Sequence, residues 1–348
     1  MPLQERAKLI EKIEGIRGSK VICFLTSLRQ NGQGMIADDA VRKFFDQLIL
    51  LPDRPIPKLD IFLCSNGGSS TVPWRLVALF REFSKSFSVL IPYRAYSAAS
   101  LIALGADEII MHPFGELGPI DPTVSNAFNP TDAAGRPMGI SVEDVRSYIN
   151  FIKTTVGITH DDELIKAVEI LAQKVHPLAL GNVERFISQS RMVAKKILKT
   201  HMSEETDEHQ IEDIVENMAS KLFFHGHPIN RKEAKKELKL KVNDDLQPEL
   251  ESAMWDLYKD FEAEFENTSE FNPASAISNL PPFLPGQLPR QVEFNLLHAC
   301  IESTRLSSKY STKRKYTELQ TMQPGQVALR EEIMSQGWNC STVPASGN

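Results

Sequence analysis

The first half of the chain alternates short apolar runs with segments whose apolar residues recur at helical spacing. Residues 3–16 read as a short charged helix. Lys20 to Thr26 (KVICFLT) is β-branched and apolar, the pattern of a buried strand. Between 38 and 51, Val41, Phe44, Phe45, Leu48 and Ile49 fall on one helical face, with Asp39 placed to cap it. Leu59 to Cys64 (LDIFLC) is a second buried strand and runs straight into Ser65-Asn66-Gly67-Gly68. A helix over 72–83, a strand over 88–92, a small-residue helix over 95–105 and a strand over 108–111 follow.

Strands separated by helix-length crossovers predict a mostly parallel sheet covered on both faces, hence an α/β fold. Parallel strands end on the same edge, so loops that leave them open into one cleft. Residues 124–138 read as a loop over that cleft. Helices are expected at 141–155, 161–175, 178–202, 204–219, 231–240 and 247–266. Residues 272–289 hold Pro273, Pro281, Pro282, Pro285 and Pro289, the composition of a linker or arm. Residues 290–335 are polar and partly basic and read as a strand and a terminal helix.

Composition narrows the function classes. The net charge of −6 disfavours a dominant nucleic-acid surface. The N-terminal residues lack the apolar core of a secretion signal, and no window approaches the length of a membrane span. Cys23, Cys64, Cys300 and Cys340 show no CxxC spacing and read as reduced thiols of a cytoplasmic protein. His225 and His227 stand two apart without a third ligand at recognisable spacing, so no metal is expected. No Walker or dinucleotide loop is present and no cofactor is expected.

Two motifs carry candidate chemistry. The strand ending in Gly67-Gly68 presents bare backbone N–H groups, which can stabilise an oxyanion, bind a phosphate or simply turn the chain. Ser97, in Ala95-Tyr96-Ser97-Ala98-Ala99-Ser100, stands between a strand and a small-residue helix, where unpaired amides favour a developing alkoxide. An ordinary helix-cap serine has the same pattern. Their order on one sheet edge raises the odds that hydroxyl and donors meet.

Ser65-Asn66-Gly67-Gly68, the run from Ala95 to Met111, and Glu116-Leu117-Gly118-Pro119-Ile120-Asp121-Pro122 resemble the serine dehydrogenase proteinase family. That family belongs with the Clp protease proteolytic subunit, signal peptide peptidase A and crotonase. Val175-His176-Pro177-Leu178-Ala179-Leu180-Gly181 and the stretch His225 to Ala234 resemble it too. The resemblance spans roughly 15–245 and is strongest over 60–123. It implies a Clp-protease/crotonase-like ββα spiral with C-terminal helical additions. It further implies Ser97 as nucleophile, Gly67, Gly68 and Ala98 around the oxyanion, and peptide hydrolysis in a ring-like homo-oligomer. Ala99 stands where relatives commonly have glycine.

The base is not evident. No histidine lies where a Clp-type histidine would fall, and no lysine lies near 140–145. Lys153, His176 and His112 remain, or a neighbouring protomer supplies the group. His176 and Lys153 are the preferred candidates. The expected division is a peptidase domain over 1–245, a helical extension over 246–271, the Pro-rich arm over 272–289 and a polar extension over 290–348. The leading expectation is a serine peptidase acting on peptide or protein substrates, without nucleic acid and without a transmembrane segment. A catalytically silent peptide-binding or scaffold protein is the first alternative and acyl-CoA chemistry the second.

Overall fold

A computed structural model describes residues 3–120, 123–124, 128–129, 131, 138, 140–221, 227–281, 289–319 and 328–343. The elements run α1 Leu3–Arg17, β1 Lys20–Thr26, α2 Ala40–Ile49, β2 Leu59–Cys64, α3 Val72–Phe83, β3 Phe87–Ile91, β4 Arg94–Ala95 and α4 Ala98–Leu104. Next come β5 Glu108–Met111, β6 Glu116–Leu117, β7 Thr123–Val124, β8 Ile140–Ser141, α5 Val142–Asn150, a π-helical turn Phe151–Thr155, α6 Asp161–Lys174, α7 Pro177–Leu198 and α8 Glu204–Glu216. A second π-helical turn, Asn217–Lys221, precedes β9 Ile229–Asn230, α9 Arg231–Lys236, β10 Val242–Asn243, α10 Pro248–Glu264 and α11 Pro273–Ser278. The chain closes with β11 Gln291–Glu302, β12 Leu306–Leu319 and β13 Ala328–Thr342.

The main sheet has the order β10-β5-β3-β2-β1-β11-β12-β13. Its β10-to-β1 half is parallel, as the apolar runs predict. These strands are buried on both faces and so carry few polar residues. Alternate residues feed two cores. Ile22, Ile61, Val89, Ile109 and Met111 pack against α2, α3, α4 and α7. Val21, Phe62, Leu90 and Ile110 pack against α1 and α10. Asp60, the polar exception within β2, accepts from Arg17 Nε at 2.8 Å and Ser19 Oγ at 2.8 Å.

The C-terminal region corrects the sequence expectation. Among the described residues of 290–342 there is no terminal helix; three antiparallel strands extend the same sheet from β1. Buried Gln47 on α2 fastens them, donating to the Ile301 and Leu306 carbonyls and accepting from Ser303 Oγ. Asp39 does not cap α2 with its side chain; it accepts from Trp338 Nε1 of β13 at 2.8 Å. In the Pro-rich stretch, Pro273 opens α11, and residues 282–288 lie outside the described residues. Among the described residues, no helix is long and apolar enough to cross a membrane.

Fully buried Arg6 joins α1, α10 and β11. It pairs with Asp260, with Glu264 at 2.6 Å and with Glu302 at 3.4 Å, while its guanidinium lies 4.1 Å from the Phe261 ring centre. Removing the cation strands buried carboxylates, a loss of order 3–5 kcal/mol. Arg6→Ala is therefore expected to lower unfolding free energy by about that amount, read from urea titration. Acid acts on the same cluster. Burial alone would raise the Glu264 pKa, but Arg6 and Lys309 outweigh it and hold the carboxyl below its ordinary 4.5. This contribution is present above pH 4.5 and is lost as pH falls through the depressed folded value. The urea midpoint should drop below that pH, and less steeply in Glu264→Gln.

Candidate active site

The candidate site forms where β4 crosses the carboxyl end of β2. Ser65 N donates to the Arg94 carbonyl at 2.8 Å, and Tyr96 N donates to the Ser65 carbonyl at 3.0 Å. The chain then turns sharply at Ser97 into α4. Ser97 has φ 52° and ψ −114°, a left-handed conformation that is costly for any residue with a Cβ. This strand–turn–helix geometry is that of a nucleophile elbow, which lifts a hydroxyl clear of the sheet.

The neighbouring glycines are required by contact as well as by dihedral. Gly67 has φ 104°, and a Cβ there would sit 2.7 Å from Ser97 Cβ. Gly68 has φ 154°, and its Cβ would strike the Ile36 carbonyl oxygen at 2.2 Å. Ile36 pairs with this stretch, donating to the Gly67 carbonyl and accepting from Ser69 N. The Gly67 N–H, expected as an oxyanion donor, instead donates to Ser65 Oγ at 3.0 Å. Ser65 Oγ itself accepts from Thr26 Oγ1 at 2.7 Å. The Gly68 and Ala98 N–H groups have no hydrogen-bond partner among the described residues. Ala98 opens α4, so its N–H is one of the unpaired donors of a helix start.

Small residues let α4 approach. All seven of its residues are buried. Ser100 Oγ bridges the Ala95 carbonyl at 2.6 Å and the Gly118 carbonyl at 2.7 Å, fixing the loop below Ser97. Tyr96 points away and donates to Glu116 at 2.6 Å; burial and this bond push its phenol up, so it stays protonated. Ser65 and Ser100 hold the site together, yet in sequence they are simply two more small polar residues.

The expected bases do not meet Ser97. Its Oγ has no hydrogen-bond partner among the described residues. His176 caps α7: its Nδ1 accepts from Leu178 N at 3.2 Å, and the exposed ring stacks on Phe128. Lys153 is exposed on the π-helical turn after α5. His112 lies on the other face of the sheet, stacked on Trp255 of α10 at 5.2 Å, and burial pushes its pKa down. Asp121 and His225 lie outside the described residues. Among the described residues no group of three metal-binding side chains gathers. A cleft of about 520 Å³ opens beside Ile36, lined by Met35, Ala37, His298, Tyr310 and Trp338.

The strain at Ser97 has a measurable consequence. Ser97→Gly should be more stable than Ser97→Ala by about 1 kcal/mol, because glycine relieves a conformation costing about 1–3 kcal/mol while adding unfolded-state entropy. Thermal melting of the two variants side by side reads the difference.

Comparison with known proteins gives the following. An uncharacterized protein of Methanocaldococcus jannaschii is 32% identical over 129 residues, 35% of this chain and 43% of its own. The chain thus spans less than half of that relative. A second uncharacterized protein from the same organism is 26% identical over 261 residues, 73% of this chain and 78% of its own. Among solved structures, a membrane-bound stomatin-specific protease aligns with TM-score 0.38 and 13% identity, covering 62% of this chain and 77% of its own. ClpP1 from Listeria monocytogenes aligns with TM-score 0.34 and 14% identity, covering 70% and 97%. Residues 1–133, which contain Gly67, Gly68 and Ser97, match the family described as ClpP-like SDH-type serine proteinase.

Proposed function

We propose that the protein is a serine peptidase acting on peptide or protein substrates, with Ser97 as its nucleophile. The observation that carries this reading is the left-handed turn at Ser97 beside two backbone N–H groups, those of Gly68 and Ala98, that lack hydrogen-bond partners among the described residues. Ala98 is buried, and a buried N–H without an acceptor is costly, while Gly68 is exposed, so both donors can meet an oxygen that arrives with the substrate.

In this reading Ser97 Oγ attacks the scissile carbonyl carbon. The carbonyl oxygen takes up the negative charge and accepts from Gly68 and Ala98. Gly67 serves by shape: it makes room for Ser97 and holds Ser65 in place. The cleft beside Ile36 receives an apolar side chain of the substrate, because aromatic and aliphatic groups line it. Assembly into a homo-oligomer belongs to the same reading. β13 forms one edge of the main sheet, and its outer side has no partner strand among the described residues. Such an edge is a template for pairing with another chain.

A fluorophosphonate probe tests the core of the proposal. The wild-type chain should be labelled at Ser97, with Ser97→Ala unlabelled and Gly67→Ala strongly reduced. An unlabelled wild type, beside a fully labelled control hydrolase, would overturn it in favour of a peptide-binding protein without catalysis. Sedimentation should show a species larger than the monomer at micromolar concentration.

A further inference from the structure

We propose that Thr26, Ser65 and Gly34 are positioning residues that hold the Gly67–Gly68 peptide with the Gly68 N–H aimed at the oxyanion; this rests on Ser97 being the nucleophile and Gly68 an oxyanion donor. In the main sheet β2 lies between β1 and β3. The same order continues past the strand ends. Ser65 pairs with Ala95 of β4 and β4 pairs with β6, just as β2 pairs with β3 and β3 with β5. On the other side of the stretch, Ile36 pairs with Gly68.

The Gly67 carbonyl accepts from Ile36 N at 2.8 Å, and Ser69 N donates to the Ile36 carbonyl at 2.9 Å. In a planar trans peptide the C=O and the following N–H point in opposite directions. Fixing the Gly67 carbonyl on Ile36 therefore turns the Gly68 N–H away from Ile36, toward the side on which β4 leads into Ser97. If that carbonyl swings, the N–H swings with it.

Ser65 supplies the second hold. Its Oγ accepts from the Gly67 N–H at 3.0 Å and from Thr26 Oγ1 at 2.7 Å. Thr26 and Ser65 stand one step past the Leu25–Cys64 pair of β1 and β2, and both are buried. Buried hydroxyls are costly unless they bond, and this pair ends on the amide of the residue that abuts Ser97. With its N–H on Ser65 and its C=O on Ile36, Gly67 has both of its peptide planes fixed.

Ile36 is held in turn from β11. Gly34 N donates to the Ser27 carbonyl at 2.9 Å, and Ser27 N donates to the His298 carbonyl at 2.9 Å. A Cβ on Gly34 would lie 1.8 Å from the His298 carbonyl oxygen, so only glycine lets the segment lie this close. β11 lies beyond the residues 1–133 that match the family. The C-terminal strands thus brace the candidate site from outside the matched region.

Positioning is read in the full chain from fluorophosphonate labelling of Ser97 over a range of probe concentrations, alongside thermal melting. A misplaced donor slows the step in which oxyanion charge develops and leaves probe binding alone. Thr26→Val and Ser65→Ala should lower the saturated labelling rate about 10–100-fold at an unchanged half-saturating concentration, less than the roughly 10²–10³-fold that loss of a whole donor costs. Thr26→Ser keeps the hydroxyl and should recover most of the rate. Gly34→Ala should slow labelling likewise, and the Ile36 amide of the wild type should be protected from hydrogen exchange. Arg6→Ala gives the contrast: it is less stable, yet well below its melting temperature it should label at the wild-type rate. A wild-type saturated rate in folded Thr26→Val or Ser65→Ala would overturn the role of the hydroxyl pair. Such a rate in folded Gly34→Ala, or an unprotected Ile36 amide, would overturn the brace from β11. A change confined to the half-saturating concentration would overturn both, because the residues would then serve binding. Each of these results leaves the peptidase reading intact, whereas an unlabelled wild type would overturn the assignment and the reading beneath it.

Discussion

The site depends on one absent atom. Gly67 has no Cβ, and Ser97 turns through the space that a Cβ would fill. The turn places Ser97 outside the conformations open to a serine at low cost, at about 1–3 kcal/mol. It persists because the surroundings leave no other path. β4 is tied to the end of β2 through Ser65, Ser100 clamps the turn from below, and α4 is buried along its whole length. Strain of this kind accumulates where a rigid core over-determines the backbone, and the parallel sheet supplies that core.

The sheet also separates two tasks. Strand alternation sends Ile109 and Met111 toward α4 and α7, and Ile110 toward α1 and α10. The α1–α10 face holds the buried charges: Arg6 with its three carboxylates, and Arg17 with Asp60. These pairs tie the N-terminal helix to α10 and β11. The opposite face is nearly all apolar and receives the strained turn. His112 looks well placed in sequence, one residue beyond β5, yet the alternation delivers it to the stability face. A period of two decides its role more firmly than its nearness to Ser97 along the chain.

What was legible in sequence follows from the same physics. The parallel strands were readable because burial on both faces forces unbroken apolar runs. The turns at Gly67-Gly68 and Ser97 were readable as unusual backbone because strand-to-glycine and strand-to-small-helix junctions are uncommon. Of the last three strands, only one was expected, with a helix after it. β12 reads LSSKYSTKRKYTEL, with no clean alternation, because its charges are met across the sheet: Lys309 by Glu264, Lys313 by Glu293 and Arg314 by Glu331. A composition that suggests a solvated helix is here a strand whose charges pair with neighbouring elements. Gly67's amide was misassigned for a local reason, since nothing in Ser-Asn-Gly-Gly shows that Ser65 bends back to take it.

The base was the least legible part of the candidate site. His176 and Lys153 have suitable chemistry in sequence, yet the fold uses His176 to cap α7 and leaves Lys153 exposed on the turn after α5. The small sheet that supports the turn was hidden for a different reason. β6 pairs with β4 on one side and with β9 on the other, and the partners Leu117 and Ile229 lie more than a hundred residues apart. The family match over residues 1–133 covers Gly67, Gly68 and Ser97, while β9 lies beyond it. The strained turn is thus built early in the chain and its supporting sheet is completed from far along it.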